Sequence, residues 1–109
     1  PYLLQGGLGL PDRDYYVSDK PEMADLRAGY GRYVAEMLRL AGMPNAEVRA
    51  AAVTALEEKI ARAHYTLEQS QDAHRAQAWR RADFARRAPG LDWTAFWAAA
   101  GLPAQQRFY

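Results

Sequence analysis

Apolar residues recur at helical spacing along most of the chain. In its first half they return every three or four positions, which places them on one face of a helix. This stripe consists of Met23, Leu26, Tyr30, Tyr33, Met37 and Leu40. Pro21 suits the first turn of such a helix, and Gly42 suits its end. The pattern predicts a helix over about 19–42, with Ser18 or Asp19 as its cap.

Three further helices are predicted in the same way. Asn45 is a capping residue, and the apolar pattern behind it predicts a helix over about 45–67. Its expected buried face consists of Val48, Ala52, Val53, Leu56, Ile60, Ala63 and Leu67. Two shorter helices are predicted over about 74–88 and 92–100, the second capped by Asp92. In the first of these, Trp79, Ala82 and Ala85 are expected to face the core, and the apolar residues of the second are Trp93, Phe96 and Trp97.

The fold class that follows is all-α. No segment alternates between apolar and polar residues with a period of two, so no sheet is expected. Residues 1–17 have no helical period and are expected to form an irregular arm. We therefore predict a small bundle of about four helices preceded by an irregular N-terminal arm, in a single domain over residues 1–109. The chain begins at Pro1 without a methionine, and we expect it to be a piece of a longer protein.

The composition removes several classes of function. A net charge of +1 gives no electrostatic reason for a nucleic-acid partner, and none is expected. The chain has no cysteine, which excludes disulfides and thiolate metal ligands. No run of about eighteen apolar residues occurs, so we expect no membrane segment in this chain.

One short segment of the arm is much more constrained than the rest. It reads Gly7-Leu8-Gly9-Leu10-Pro11-Asp12-Arg13-Asp14-Tyr15-Tyr16. Two glycines and a proline within an apolar run exclude an ordinary helix and allow a close backbone approach. Tyrosine adds an apolar ring with a polar tip, which suits packing onto a surface. The candidate docking strap consists of Gly7, Gly9, Pro11, Asp12, Arg13, Asp14, Tyr15 and Tyr16.

Histidine, aspartate and glutamate commonly serve in catalysis or bind metals, but in this sequence their spacing suits neither role. His64 and His74 are ten positions apart, and neither has a ligand-spaced partner. Glu57 and Glu58 point about 100° apart on a helix, so they cannot act together as an acid and base pair. The carboxylates on either side of Arg13 favour a charge-paired turn or caps on nearby amides over catalysis. No catalytic and no metal-binding residue is assigned.

A basic stretch in the second half of the chain is the other candidate site. It contains arginines at positions 75, 80, 81, 86 and 87. On a helical wheel Arg75 and Arg86 flank Trp79, and these three are the candidate partner-facing or substrate-facing residues. The other arginines spread around the helix, which favours a solvated surface. Contact with an acidic partner lobe or a peptide carboxylate is one alternative, and nucleic acid is another.

Three blocks of the sequence resemble one protein family. The segment from Gly7 to Tyr16 resembles (G)LGLPxRDYY, the segment from Leu56 to Ala63 resembles LExxIAxA, and Ala88 to Trp93 resembles aPxxDW. In that order they are similar to the neprilysin and endothelin-converting-enzyme family of zinc metalloendopeptidases. The resemblance implies the mostly helical, non-catalytic region that precedes the zinc-bearing part. In such enzymes this region helps to form a second lobe across a cavity from the catalytic lobe.

The resemblance also sets what is expected of partners and cofactors. The partners would be the catalytic lobe of the same polypeptide and the peptide substrates of the parent enzyme. The family binds zinc through His-Glu-x-x-His, which this sequence lacks, so we expect no cofactor in this chain, zinc in the parent and no activity of the chain alone. A periplasmic or extracellular parent is favoured. Gln71-Asp72 and Trp79-Arg80 depart from the family pattern. The competing interpretation is a stand-alone helical protein-interaction module.

Overall fold

The structure is a computed structural model that describes residues 1–72 and 77–109. Over these ranges the chain is mainly helical, which confirms the all-α class. The elements in chain order are α1 (Asp14–Val17), α2 (Pro21–Leu40), α3 (Ala46–Ala63), α4 (Leu67–Gln71), β1 (Trp79–Arg80), α5 (Arg81–Arg87), α6 (Trp93–Ala99) and β2 (Arg107–Phe108). No helix among the described residues has the length and apolar character needed to cross a membrane.

The chain divides into two compact units, which are described separately. One unit consists of Gln5–Gln71 and is called here the hairpin unit. The other consists of Pro1–Leu4 with Asp72–Tyr109 and is called the aromatic unit. The N-terminal residues belong to the aromatic unit because Leu3 donates its amide to the Tyr109 carbonyl at 2.7 Å and Tyr109 donates to the Pro1 carbonyl at 3.1 Å. The single-domain organisation stays a prediction.

The helix predicted over 45–67 is shorter than expected. It ends at Ala63 because His64 adopts an extended backbone, with φ −69° and ψ 149°. The Gln5 side chain then bonds the Tyr65 backbone in both directions, accepting from its amide at 2.9 Å and donating to its carbonyl at 3.3 Å. These bonds replace the helical partners that Tyr65 would otherwise use.

A separate short helix begins after this break. Thr66 and Gln69 exchange side-chain and backbone hydrogen bonds at 3.1 and 3.2 Å. This reciprocal arrangement is a capping box, and it starts α4.

The start of the arm and of the first long helix also differ from the expectation. The arm is not wholly irregular, because Asp12 accepts the Asp14 amide at 2.8 Å and the single helical turn α1 follows. The residue before α2 is Lys20, with no side-chain cap, so the prediction of Ser18 or Asp19 as the cap is wrong. The hydroxyl of Ser18 accepts the Lys20 amide at 3.3 Å instead.

The expectation of no sheet is wrong at one place. The strands β1 and β2 form an antiparallel pair in which Trp79 lies opposite Phe108 and Arg80 opposite Arg107. These residues are more than twenty-five positions apart in the sequence, so local periodicity could not predict that they pair. Helix α5 therefore begins at Arg81 within the predicted 74–88 segment, and the Asp83 carboxylate accepts the Arg80 amide at 2.8 Å.

The buried residues of α2 and α3 have small side chains. The helices are antiparallel, because Tyr30 bonds Glu57 near their middle while Arg39 pairs with Glu47 near the connecting turn. The buried apolar residues of the hairpin unit are Tyr16, Ala35, Ala46, Ala50 and Ala61. Alanines allow two helix backbones to approach closely. We call the buried alanines of α2 and α3 the seam, and they lie on faces that the hydrophobic pattern did not select.

The buried face predicted for the helix over 45–67 is consequently wrong in large part, because Val48, Val53, Leu56 and Leu67 are exposed. The larger residues of the α2 stripe are exposed as well, namely Leu26, Tyr33, Met37 and Leu40. Periodicity identifies an apolar stripe on a helix but not what covers it. In the residues that the structure describes, nothing in the hairpin unit buries these stripes.

Aromatic rings form the core of the other unit. Phe84, Trp97 and Phe108 are buried, and Trp79, Trp93 and Leu102 pack against them. The Trp97 and Phe108 rings stack with their centroids 4.3 Å apart. The cap of α6 is as predicted, because Asp92 accepts the Ala95 amide at 3.0 Å. The expected core positions Ala82 and Ala85 are exposed, and Phe84 occupies the core instead.

Replacing Phe84 by alanine tests this core. Phe84 is 3% exposed and contacts four other rings, so we expect Phe84→Ala to lower the free energy of unfolding by about 3–4 kcal/mol. Phe96 is 41% exposed, and Phe96→Ala is the matched control with an expected loss of about 1 kcal/mol. Urea denaturation followed by tryptophan fluorescence measures both. Equal losses in the two variants would contradict the assignment of the core.

Candidate functional site

The strap, residues 7–16, runs over the C-terminal half of α3. Its first glycine has φ +87°, a left-handed conformation that L residues rarely adopt. A Cβ at Gly7 would lie 3.8 Å from the Cδ1 atom of Ile60, an ordinary contact distance. Glycine is therefore required at this position by the backbone conformation and not by crowding.

Gly9 is required for the opposite reason. A Cβ at this position would lie 1.9 Å from the hydroxyl oxygen of Tyr30 and 2.7 Å from the ring carbon that bears it. Atoms cannot approach so closely, so any side chain would move either the strap or the Tyr30 ring. The backbone of Gly9 thus passes directly against the hydroxyl end of the Tyr30 side chain.

A single carboxylate fixes this close approach. Glu57 on α3 accepts hydrogen bonds from the Tyr16 hydroxyl at 2.5 Å and from the Tyr30 hydroxyl at 3.0 Å. The Tyr16 oxygen in turn accepts the amides of Gly9 at 3.1 Å and Leu10 at 2.8 Å. The Gly9 amide also points to Glu57, at 3.3 Å. We call Tyr16, Tyr30 and Glu57 the tyrosine–glutamate clasp, and it joins the strap, α1, α2 and α3.

The clasp raises the pKa of both tyrosines. Burial is the larger cause, and the hydrogen bond to Glu57 adds to it, because a phenolate beside a carboxylate would be repelled. The pKa of Tyr30 rises to about 12, and that of Tyr16 is also raised above its ordinary value. Both hydroxyls therefore remain protonated at neutral pH and serve as donors to Glu57.

The polar centre of the strap forms a short turn. Pro11 is exposed, and the Asp12 carboxylate accepts the Asp14 amide at the start of α1. Arg13 pairs with Asp14 at 3.2 Å. The Arg13 Nε atom is buried and has no hydrogen-bond partner within the described ranges. These side chains organise the turn locally and form no catalytic pair.

Arg27 on α2 holds the far end of the strap. Its guanidinium donates to the Tyr15 carbonyl at 3.0 Å and to the Ser18 carbonyl at 2.9 Å. Sequence reasoning missed both Arg27 and Glu57 as residues that hold the strap. Glu57 lies inside the LExxIAxA block, which was a usable signal, whereas Arg27 interrupts an apolar pattern without any motif. The role of the strap as a docking element stays a prediction.

The second candidate site differs from its prediction. Arg87, not Arg86, lies over the Trp79 ring, with its guanidinium carbon 3.8 Å from the ring centroid. Arg86 pairs with Asp83 at 3.0 Å. Trp79 lies in β1 and Arg86 in α5, so the two do not share the helix on which they were expected to be neighbours. That Trp79 and Arg86 face a partner or a substrate stays a prediction. Arg75, the third predicted member, lies outside the described residues.

The described part of the chain does not fit a metal ion. Residues 1–72 and 77–109 contain no group of three or more histidine, aspartate or glutamate side chains that could hold one. Glu57 is engaged by two tyrosine hydroxyls, and the His64 Nε2 atom contacts the Gly6 carbonyl at 3.1 Å. His74 lies outside the described residues.

Fold and site together define a helical region whose polar residues fix a glycine and tyrosine strap onto a helix pair. A family model described as peptidase family M13 matches residues 1–109. The chain belongs to peptidase family M13, the family of neprilysin and endothelin-converting enzyme, as part of its N-terminal region. It is thus part of a peptidase. No curated protein and no solved structure matches the chain.

The Gly9 contact can be tested by adding one methyl group. Because the Tyr30 hydroxyl is held by Glu57, Gly9→Ala must break that bond or lift the strap, and we expect the free energy of unfolding to fall by about 1–3 kcal/mol. Hydrogen exchange of the Leu10 amide should also accelerate. Gly6→Ala is the matched control, because no heavy atom lies within 4 Å of the added group and its stability should stay within about 0.5 kcal/mol. The contact is refuted if both variants behave alike.

The clasp predicts a loss of stability at high pH. The pKa of Tyr30 is about 12 in the folded chain, whereas an unfolded tyrosine has a pKa of about 10. The folded state holds this proton more tightly, so its stabilisation is complete below pH 10 and is lost as the pH rises through about 12. Urea denaturation at a series of pH values should show this decline in the native chain and less of it in Tyr30→Phe. In Tyr33→Phe, which removes an exposed hydroxyl outside the clasp, the decline should persist.

Proposed function

We propose that this chain forms the non-catalytic helical region of a neprilysin-like zinc metalloendopeptidase and helps to enclose the cavity in which the parent enzyme hydrolyses peptides. Membership of peptidase family M13 supports the reaction class. The finer role rests on one observation, which is the exposed apolar surface of the hairpin unit.

This surface follows one side of α2. Leu26, Tyr33, Met37 and Leu40 fall within about 60° of one another on a helical wheel. Ala35 is the buried residue of the same helix, and the four residues of the stripe lie about 140–180° from it on the wheel. A row of four large apolar residues on a helix is expected to be covered by another surface.

A matching stripe lies on α3. Val48 and Leu56 are 72% and 58% exposed, and they lie well away from the buried alanines of the same helix. On α3, Val48 lies about 140–160° from the three buried alanines on a helical wheel, and Leu56 lies about 80–140° from them. On both helices the exposed apolar residues therefore lie away from the buried alanines. We call Leu26, Tyr33, Met37 and Leu40 of α2 with Val48 and Leu56 of α3 the outer face.

The outer face is suited to permanent contact with protein. Soluble monomers rarely expose apolar patches larger than a few hundred Å², and such patches mark interfaces. The occupant that we propose is the remainder of the parent polypeptide, including its catalytic lobe. The strap and clasp would then hold the hairpin rigid, so that the joined lobes keep a cavity of limited size. Zinc and the water that it activates would be supplied by residues outside this chain.

Substitutions on the outer face of the whole peptidase test the proposal. We expect Met37→Glu with Leu56→Glu to loosen the enclosure, so that the ratio of kcat/KM for a long peptide to that for a short peptide rises by about fivefold or more. The same substitutions should change the stability of the isolated chain little, because both residues are already exposed there. Arg32→Glu, on an exposed polar side of α2, is the control.

The outcome also separates the proposal from its competitor. A stand-alone interaction module would be produced without a linked catalytic region, and the outer face would then have no effect on hydrolysis. Unchanged peptide-length selectivity in the whole enzyme would therefore contradict the enclosing role.

A further inference from the structure

The β1–β2 pair separates its side chains by chemistry. Successive residues of a strand point to opposite faces, and here Trp79 and Phe108 turn toward the aromatic core. Their neighbours Arg80 and Arg107 are exposed and lie directly opposite each other in the register. Directly opposed residues in an antiparallel pair have Cβ atoms about 4.5–5.5 Å apart. The Arg80 and Arg107 side chains therefore leave the same face of the strand pair next to each other.

The surrounding charge is positive. Residues 72–109 contain six arginines and three aspartates. Arg86 is paired with Asp83, and Arg87 lies over Trp79. The Arg81 guanidinium donates to the carbonyls of Gln105 and Leu102. Each of these arginines therefore has a structural partner.

The two opposed arginines differ from the others. Within residues 1–72 and 77–109 no ion pair joins Arg80 or Arg107 to a carboxylate. Like charges directly opposite each other destabilise a strand pair. A two-residue ladder has few hydrogen bonds to offset that repulsion, and an anion placed between the two groups would remove it.

We propose that Arg80 and Arg107 together bind a carboxylate of an acidic peptide segment. Arginine presents a planar fork of donors that matches the two oxygens of a carboxylate, and two forks fixed side by side can hold one or two such groups. The base of the site is rigid because Trp79 and Phe108 are anchored in the aromatic core. The amide of Arg80 is already bonded to Asp83, so the guanidinium groups alone form the site.

This site is independent of the enclosing role proposed above. Its ligand is a glutamate or aspartate side chain in an extended peptide, and a free terminal carboxylate is not required. The source can be a substrate peptide or another acidic protein segment, because both present the same chemical group.

Titration of the 109-residue chain with a blocked peptide tests the site. The probe is an acetylated and amidated hexapeptide with two adjacent glutamates, and its control carries glutamine at both positions. We expect the glutamate peptide to bind at least about tenfold more tightly than the glutamine peptide by calorimetry. Amide resonances of residues 79–80 and 107–108 should shift during the titration. Equal binding of the two peptides would overturn the proposal.

Variants separate a specific site from general positive charge. Arg80→Gln with Arg107→Gln should reduce the affinity for the glutamate peptide at least about tenfold, and Arg32→Gln, which removes an exposed arginine of the hairpin unit, should change it less than about twofold. The bond from Arg80 to Asp83 uses the backbone amide, so the double variant should keep its native tryptophan fluorescence. A similar loss in Arg32→Gln, or inorganic phosphate binding as tightly as the peptide, would overturn the carboxylate site.

Discussion

The Glu57 carboxylate is the point on which the hairpin unit depends. It receives both tyrosine hydroxyls of the clasp, and one of them in turn receives two strap amides. Burying a carboxylate costs free energy unless hydrogen-bond donors satisfy it, and ordering a glycine-rich backbone costs conformational entropy unless contacts compensate for it. The tyrosine hydroxyls satisfy the Glu57 carboxylate, and the Tyr16 hydroxyl in turn holds the strap amides in place. The clasp thereby converts a flexible glycine-rich segment into a fixed part of the α2–α3 surface, and Gly9 must remain a glycine for the contact to close.

The hairpin unit buries small apolar side chains and exposes large ones, the opposite of what is expected for an independently folding domain. The buried residues of α2 and α3 are alanines, while the larger Met37, Leu40 and Leu56 are exposed. A domain selected to fold alone would bury its largest apolar groups first, because they contribute the most transfer free energy. This distribution is the physical reason for regarding the chain as one part of a larger peptidase. Membership of family M13 and the outer face lead to the same interpretation from separate observations.

The aromatic unit is stabilised by a core of aromatic rings and by a short strand pair. Its core is a set of stacked and edge-on rings around Phe84, and the chain ends are joined to it by β2 and by the bonds of Tyr109. The same strand pairing that buries Trp79 and Phe108 forces Arg80 and Arg107 onto the opposite face. A packing requirement on one side of the strand pair thus places two arginines next to each other on the other side, because side-chain direction alternates along a strand.

The sequence by itself determined the helical class, the cap at Asp92 and the family that its motifs resemble. It also determined that the strap is not an ordinary helix. These features are local, since capping and periodicity involve residues within four positions of one another. Only the tertiary structure decided that Glu57 holds the strap, that alanines form the seam and that Arg87 rather than Arg86 lies over Trp79. Those outcomes depend on contacts between residues that are distant in sequence, such as the 41 positions between Tyr16 and Glu57. No local pattern encodes which of several apolar or polar faces meets its partner, because that choice is made by packing.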